Sequence, residues 1–253
     1  MIDVKNFEES NVRIFGRSAP EIGYYARTTT KGDEIDMVNS YIEHIVSKYK
    51  KLKKGRVAIF IEPQIDTGYP DIVIVEYSGV PKIAWADSRR NLTTTEMKIL
   101  FQVYKQKNAS LSDLNELLGF SPEEIKKSFV HLAACNLIHL SKSEMYARNT
   151  QLQAFCNVKK VIAIEAKIDK WSEAILQASK NSWFSTESYI LLNKTHCNEA
   201  IINKCKEHGV GIILVNGSIK HVLKSTKRQF PISYTSLLFN EWIQRANELE
   251  AHK

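Results

Sequence analysis

The sequence predicts an α/β chain in which one domain is interrupted by a smaller, mostly helical one. Three observations predict it. Two short β-branched runs, Ile72-Val73-Ile74-Val75 and Val161-Ile162-Ala163-Ile164, have the composition of buried strands. After the second run, helical and strand patterns alternate to residue 215. Between the two runs, three helix-start signals follow one another, which a hairpin connection would not need.

In chain order, Ile35, Val38, Ile42, Ile45 and Tyr49 recur at helical spacing behind Glu34, so a helix is expected there. The basic run from Lys48 through Lys50, Lys51, Lys53 and Lys54 to Arg56 suits that helix's C-terminus, where cations are favoured, or a nucleic-acid backbone. Gly68-Tyr69-Pro70-Asp71 then opens the first strand. Within the insert, Thr93 with Glu96, Ser110 with Asp113 and Ser121 with Glu124 each set a capping hydroxyl three residues before an acid. Each leads into an apolar stripe: Ile99, Leu100 and Val103, then Leu111, Leu114, Leu117 and Leu118, then Ile125, Phe129 and Leu132. Leu137 to Leu140 is expected as a strand, and Ser141-Lys142-Ser143 as a turn.

The second half continues with a strand ending in Glu165-Ala166-Lys167, a helix over 169–180 striped by Trp171, Ala174, Ile175 and Ala178, and a strand over 188–192. A helix over 198–208, a strand over 212–215 and an amphipathic helix from Ile232, with Leu238, Trp242, Ala246 and Leu249 in line, complete the chain. The domains are expected as 1–90 plus 150–253, with 91–149 inserted. The terminal helix either packs on the core or forms a dimer.

Residues two apart on a strand share a face, so Glu165 and Lys167 project together while Ala166 turns away. If the two strands pair, Asp71 joins them. A hard cation such as Mg²⁺ takes oxygen ligands, and Asp71, Glu165 and the Ala166 carbonyl supply them. Lys167 is then placed to orient a water or offset charge on a phosphorane. The expected reaction is phosphodiester hydrolysis.

Pro70-Asp71 followed by Glu165-Ala166-Lys167, with the α/β order around them, resembles the signature of the PD-(D/E)xK nuclease superfamily over roughly residues 30–90 and 155–225. The resemblance implies a restriction endonuclease-like mixed sheet flanked by helices and a Mg²⁺-dependent deoxyribonuclease, with Mn²⁺ an acceptable substitute. It implies that Asp71 and Glu165 bind metal and that Lys167 assists the nucleophile. Gln177 on the following helix would be a supporting glutamine. An acid on the first helix would complete the set, with Glu34 the candidate and Glu43 and Glu62 its competitors.

The insert resembles a winged helix in order and size. Its third helix offers Lys126 and Lys127, and its wing Lys142 and Arg148, as nucleic-acid contacts, although Glu123 and Glu124 at that helix start face phosphates poorly. A net charge of +7 suits a polyanion such as DNA. A second basic cluster, Lys220, Lys224, Lys227 and Arg228, has the same potential.

No Gly-rich nucleotide loop is present. No apolar run approaches the roughly 20 residues of a membrane helix, so a cytoplasmic chain with no membrane partner is expected. His196, Cys197, Cys205 and His208 bracket one helix, but the cysteine spacing fits buried helix positions better than a zinc cage. The expected role is an endonuclease of restriction, phage defence or a mobile element, acting as a homodimer or in a larger complex. The alternative is a non-cleaving DNA-binding regulator or assembly subunit with a nuclease-like core.

Overall fold

The computed structural model describes residues 7–9, 11–27, 32–51, 55–79, 85–143 and 145–252. Lys53 and Lys54 of the first basic run lie outside them. The elements in order are β1 (Phe7–Glu9), β2 (Val12–Phe15), α1 (Asp33–Lys50), β3 (Arg56–Ile61), β4 (Ile72–Tyr77), α2 (Thr94–Gln106), β5 (Asn108–Ser110), α3 (Leu111–Leu118), α4 (Pro122–Ala134), β6 (Ile138–Leu140), β7 (Tyr146–Asn149) and α5 (Leu152–Phe155). They continue with β8 (Val158–Lys167), α6 (Trp171–Asn181), β9 (Glu187–Leu192), α7 (Glu199–His208), β10 (Gly211–Asn216), β11 (Ser218–Leu223) and α8 (Tyr234–Ala251). Among the described residues no helix is long and apolar enough to cross a membrane.

The chain divides into two compact units, Met1–Gly79 with Val158–Ile232 and Val80–Asn157 with Ser233–Lys253. The first is an α/β unit with an eight-stranded mixed sheet ordered β1-β2-β3-β4-β8-β9-β10-β11. β4 and β8 pair antiparallel at its centre, and β8, β9 and β10 run parallel. β-branched residues alternate between two buried faces, so both need cover. On one face α1 lays Val38, Tyr41, Ile42 and Ile45 over Ile59, Ile74 and Ile164. On the other, Ala174, Ile175 and Ala178 of α6 and Ile201 and Cys205 of α7 cover Ile190, Leu192, Ile212 and Leu214. Cys205 is therefore a core residue, as its helical position predicts.

The second unit forms all three anticipated capping boxes, on Thr93, Ser110 and Ser121. Each such cap stabilises its helix by about 0.5–2 kcal/mol. A small antiparallel sheet ordered β5-β7-β6 completes the unit's strands. β5 was not anticipated, because three residues running straight into a helix cap leave no period to detect.

The terminal helix corrects the expected domain division. The sequence assigns it to the interrupted domain, yet α8 belongs to the second unit, where it packs on α2. It is buried on most sides from Thr235 to Ala246, polar residues included, so the simple stripe that contained Leu238 does not describe it. Among its buried polar residues is Glu241. The Arg89 guanidinium, 1% exposed, donates to Glu241 through Nε at 2.8 Å and Nη2 at 2.6 Å, and to the Phe155 carbonyl at 3.1 Å. Burial works against the charge on Arg89, but Glu241 more than offsets this and raises its pKa.

Removing one partner of such a pair strands a buried charge. Arg89→Met should therefore destabilise the protein by about 3–5 kcal/mol in denaturant unfolding. Arg89→Met combined with Glu241→Met should recover part of that loss, whereas equal or additive losses would show that the pair does not hold this unit.

Candidate active site

The register of the central pair brings the predicted residues together. Ile72 lies opposite Ile164, so the next pair outward at that end of the sheet is Asp71 and Glu165. The backbone N–H of Ala166 donates to Asp71 Oδ2 at 2.7 Å. The Lys167 ammonium donates to the Ala166 carbonyl at 2.8 Å and to Glu34 Oε1 at 3.2 Å. Glu34 sits in the first turn of α1, whose N-terminus favours an acid. The helix acid proposed from periodicity is thus in contact with the lysine.

Its two competitors separate. Glu43 faces solvent farther along α1, whereas Glu62 is buried at the end of β3, in a small pocket lined by Glu34, Ile35, Val38, Ile61, Glu62 and Asp71. Glu62 has φ 46°, a left-handed backbone uncommon for a non-glycine residue. Hydrogen bonds on both sides hold it there: its N–H donates to the Asp71 carbonyl and its carbonyl accepts from the Arg27 N–H, both at 3.0 Å.

Gln177 does not take its expected part. It lies on the exposed side of α6, and the side chain from this helix that reaches the site is Asn181, whose amide donates to Glu165 Oε1. Asn181 continues the buried stripe of Ala174 and Ala178, while Gln177 sits off it. The signal was present in the stripe, one residue beyond the expected end of the helix.

Electrostatics mark the cluster as costly without a cation. Burial, then the neighbouring Asp71, pushes Glu165 up to about 8, against the pull of Asn181 and Lys167. Asp71 is also raised, chiefly by burial, although the Ala166 N–H and Lys167 oppose this. Each carboxyl adds to the cost of ionising the other. Glu62 is raised by burial as well, with Arg27 the main opposing charge. Two adjacent desolvated carboxyls suit a divalent cation, which would offset the charge that burial disfavours. The donors are oxygens, the set a hard cation prefers. Among the described residues no three acidic, histidine or cysteine side chains form a ready-made cage. The Ala166 carbonyl and water would have to complete the coordination, with Lys167 withdrawing from that carbonyl.

The expected nucleic-acid contacts lie in the second unit. Lys126 and Lys127 are exposed on α4, and Lys142 in the β6–β7 turn. Arg148 is exposed on β7, in register with Asn108 and His139 on the neighbouring strands.

No protein-family model, no curated protein and no solved structure matches this chain.

The raised carboxyls fix a pH dependence. Folding keeps a proton on Glu165 that an unfolded carboxyl, with a pKa of about 4.3, has already released above that pH. The associated stability is full below about 4.3 and is lost as pH rises toward about 8. The melting temperature of metal-free protein should fall over this window, and Glu165→Gln should flatten the profile. A wild-type profile already as flat as the variant's would contradict the raised Glu165 carboxyl.

Proposed function

We propose that this chain is a metal-dependent endonuclease of the PD-(D/E)xK type, hydrolysing phosphodiester bonds in DNA. In this reading the first unit is a restriction endonuclease-like core and the second a winged-helix-like module. The observation that carries it is the meeting of Asp71, Glu165 and Lys167 at one end of the β4–β8 pair, with Lys167 held by Glu34.

Each residue then has a task. Asp71 and Glu165, with the Ala166 carbonyl, would hold Mg²⁺ or Mn²⁺. The bound ion supplies a Lewis acid for the phosphoryl oxygen and lowers the pKa of a coordinated water. Asn181 fixes the Glu165 carboxylate, so the ligand enters the complex already oriented. With the Ala166 carbonyl given over to such an ion, the Lys167 ammonium would be free to orient the attacking water or to offset charge developing on phosphorus. Glu34 limits how far that ammonium can swing.

The second unit supports DNA as the substrate through its helix order followed by a β6–β7 hairpin, and through the exposed Lys126, Lys127, Lys142 and Arg148. A role in restriction, phage defence or a mobile element fits this pairing of a cutting core with a recognition module.

Supercoiled plasmid incubated with Mg²⁺ or Mn²⁺ should be nicked or linearised by the wild type and untouched by the Glu165→Ala, Lys167→Ala double variant. Lys167→Ala alone should slow cleavage by about 10² or more, and Asn181→Ala by about 10–100-fold. Cleavage that survives both Asp71→Ala and Lys167→Ala would remove this site from consideration.

Charge reversal at Lys126 and Lys127 tests the other unit. DNA retention should weaken and its dependence on salt should become shallower, by about one unit of log–log slope for each phosphate that is no longer neutralised. An unchanged slope would direct the second unit toward a protein partner.

A further inference from the structure

A second polar cleft lies within the first unit, between α1 and the sheet, at the end opposite Asp71. Its floor carries Glu76 on β4, Lys160 on β8 and Glu187 on β9, and its walls are Tyr41 and Tyr49 of α1, Tyr189 of β9 and His221 of β11. Its free space is about 100 Å³. One water needs only about 10–15 Å³ of such space, so a tetrahedral oxyanion has room to enter.

The carboxylates of this cleft are already engaged. Glu187, 4% exposed, accepts from Lys160 Nζ at 2.9 Å and from the Tyr189 hydroxyl at 2.7 Å. Glu76 accepts from the Tyr49 hydroxyl at 2.5 Å. The basic groups at the mouth are different. His44 and Lys48 project from α1 and His221 from β11, all three exposed, and among the described residues none is paired with a carboxylate. Lys48 stands 5.9 Å from the Tyr49 ring centroid, and His221 packs edge-on to Tyr189 at 6.1 Å. Burial first, and then Lys48, His44 and Lys160, hold the His221 imidazole below its ordinary pKa, with Glu187 opposing them. Lys48, His44 and His221 thus gather at the mouth of the cleft, while Glu76 and Glu187 below them are each engaged by a neighbour.

We propose that this cleft binds a small oxyanion, inorganic phosphate or the phosphate group of a mononucleotide, between Lys48, His44 and His221, with Lys160 behind them. The anion offsets the charge that these groups impose on one another, and the tyrosine rings flank whatever the phosphate carries. This site shares no residue with the Asp71–Glu165 cluster, so it stands whether or not that cluster cuts DNA.

The test is a titration of metal-free, full-length protein with inorganic phosphate and with adenosine monophosphate at constant ionic strength, following the imidazole resonances of His44 and His221 by NMR. Saturable shifts of both histidines are expected, with a rise in the His221 pKa on binding. Lys48→Ala and His221→Ala, both at exposed positions, should each weaken binding by about tenfold or more, while adenosine without phosphate should produce no saturation. Shifts that never saturate, or that are the same in Lys48→Ala, would leave an adventitious ion only and overturn the proposal.

Discussion

The antiparallel pairing of β4 with β8 is the constraint on which the rest depends. It joins residues 95 apart in sequence, and its outermost link is the Ala166 N–H to the Asp71 carboxylate. Strand pairing has a strict period of two, so slipping either strand by one residue would move Glu165 to the other face and bury Ala166 where a carboxylate belongs. The apolar residues enforce the register. Ile72, Ile74, Ile162 and Ile164 must face α1 while Val73, Val75, Val161 and Ala163 face the other layer, and only one alignment satisfies both. A site made of few polar atoms is therefore positioned by a much larger apolar surface.

That surface also sets the chemistry. Burial is the first cause of the raised pKa of Glu165, Asp71 and Glu62, and only then do neighbouring charges count. A carboxyl that desolvation keeps protonated is a poor ligand until something displaces the proton. Lys167 cannot do so alone, because its ammonium is shared between the Ala166 carbonyl and Glu34. The arrangement is thus closed on itself, each acid held by a neighbour.

How much of this was legible in the sequence follows from the range of each signal. Asp71, Glu165 and Lys167 end unambiguous β-branched runs, and Glu34 opens a clean helical period, so local pattern sufficed for them. The capping boxes were equally local, because hydroxyl and acid lie within one turn. Asn181 was missed because its helix runs one residue beyond Lys180, and its polarity hid its place on the buried stripe. β1 and β2 are too short to show a period, and β11 is an edge strand whose exposed Lys220 and His221 look like a surface cluster. The terminal helix was misassigned for a deeper reason. Its partner Arg89 is 152 residues away, and no period within the helix announces a buried ion pair.

The position of the interruption explains how one chain can carry two units without compromising the site. Tyr77 and Val158 are register partners, so the polypeptide leaves the first unit and returns to it at adjacent positions of the central pair. They sit at the end of β4 and β8 away from Asp71 and Glu165. An insertion there replaces a hairpin loop by a longer closed loop, an entropic cost that grows only as the logarithm of length. The capping boxes, the small sheet and the Arg89–Glu241 pair offset it from within the second unit. Every residue of the candidate site, Glu34, Glu62, Asp71, Glu165, Lys167 and Asn181, belongs to the first. Changes in the second unit can therefore leave the geometry of the acid cluster intact.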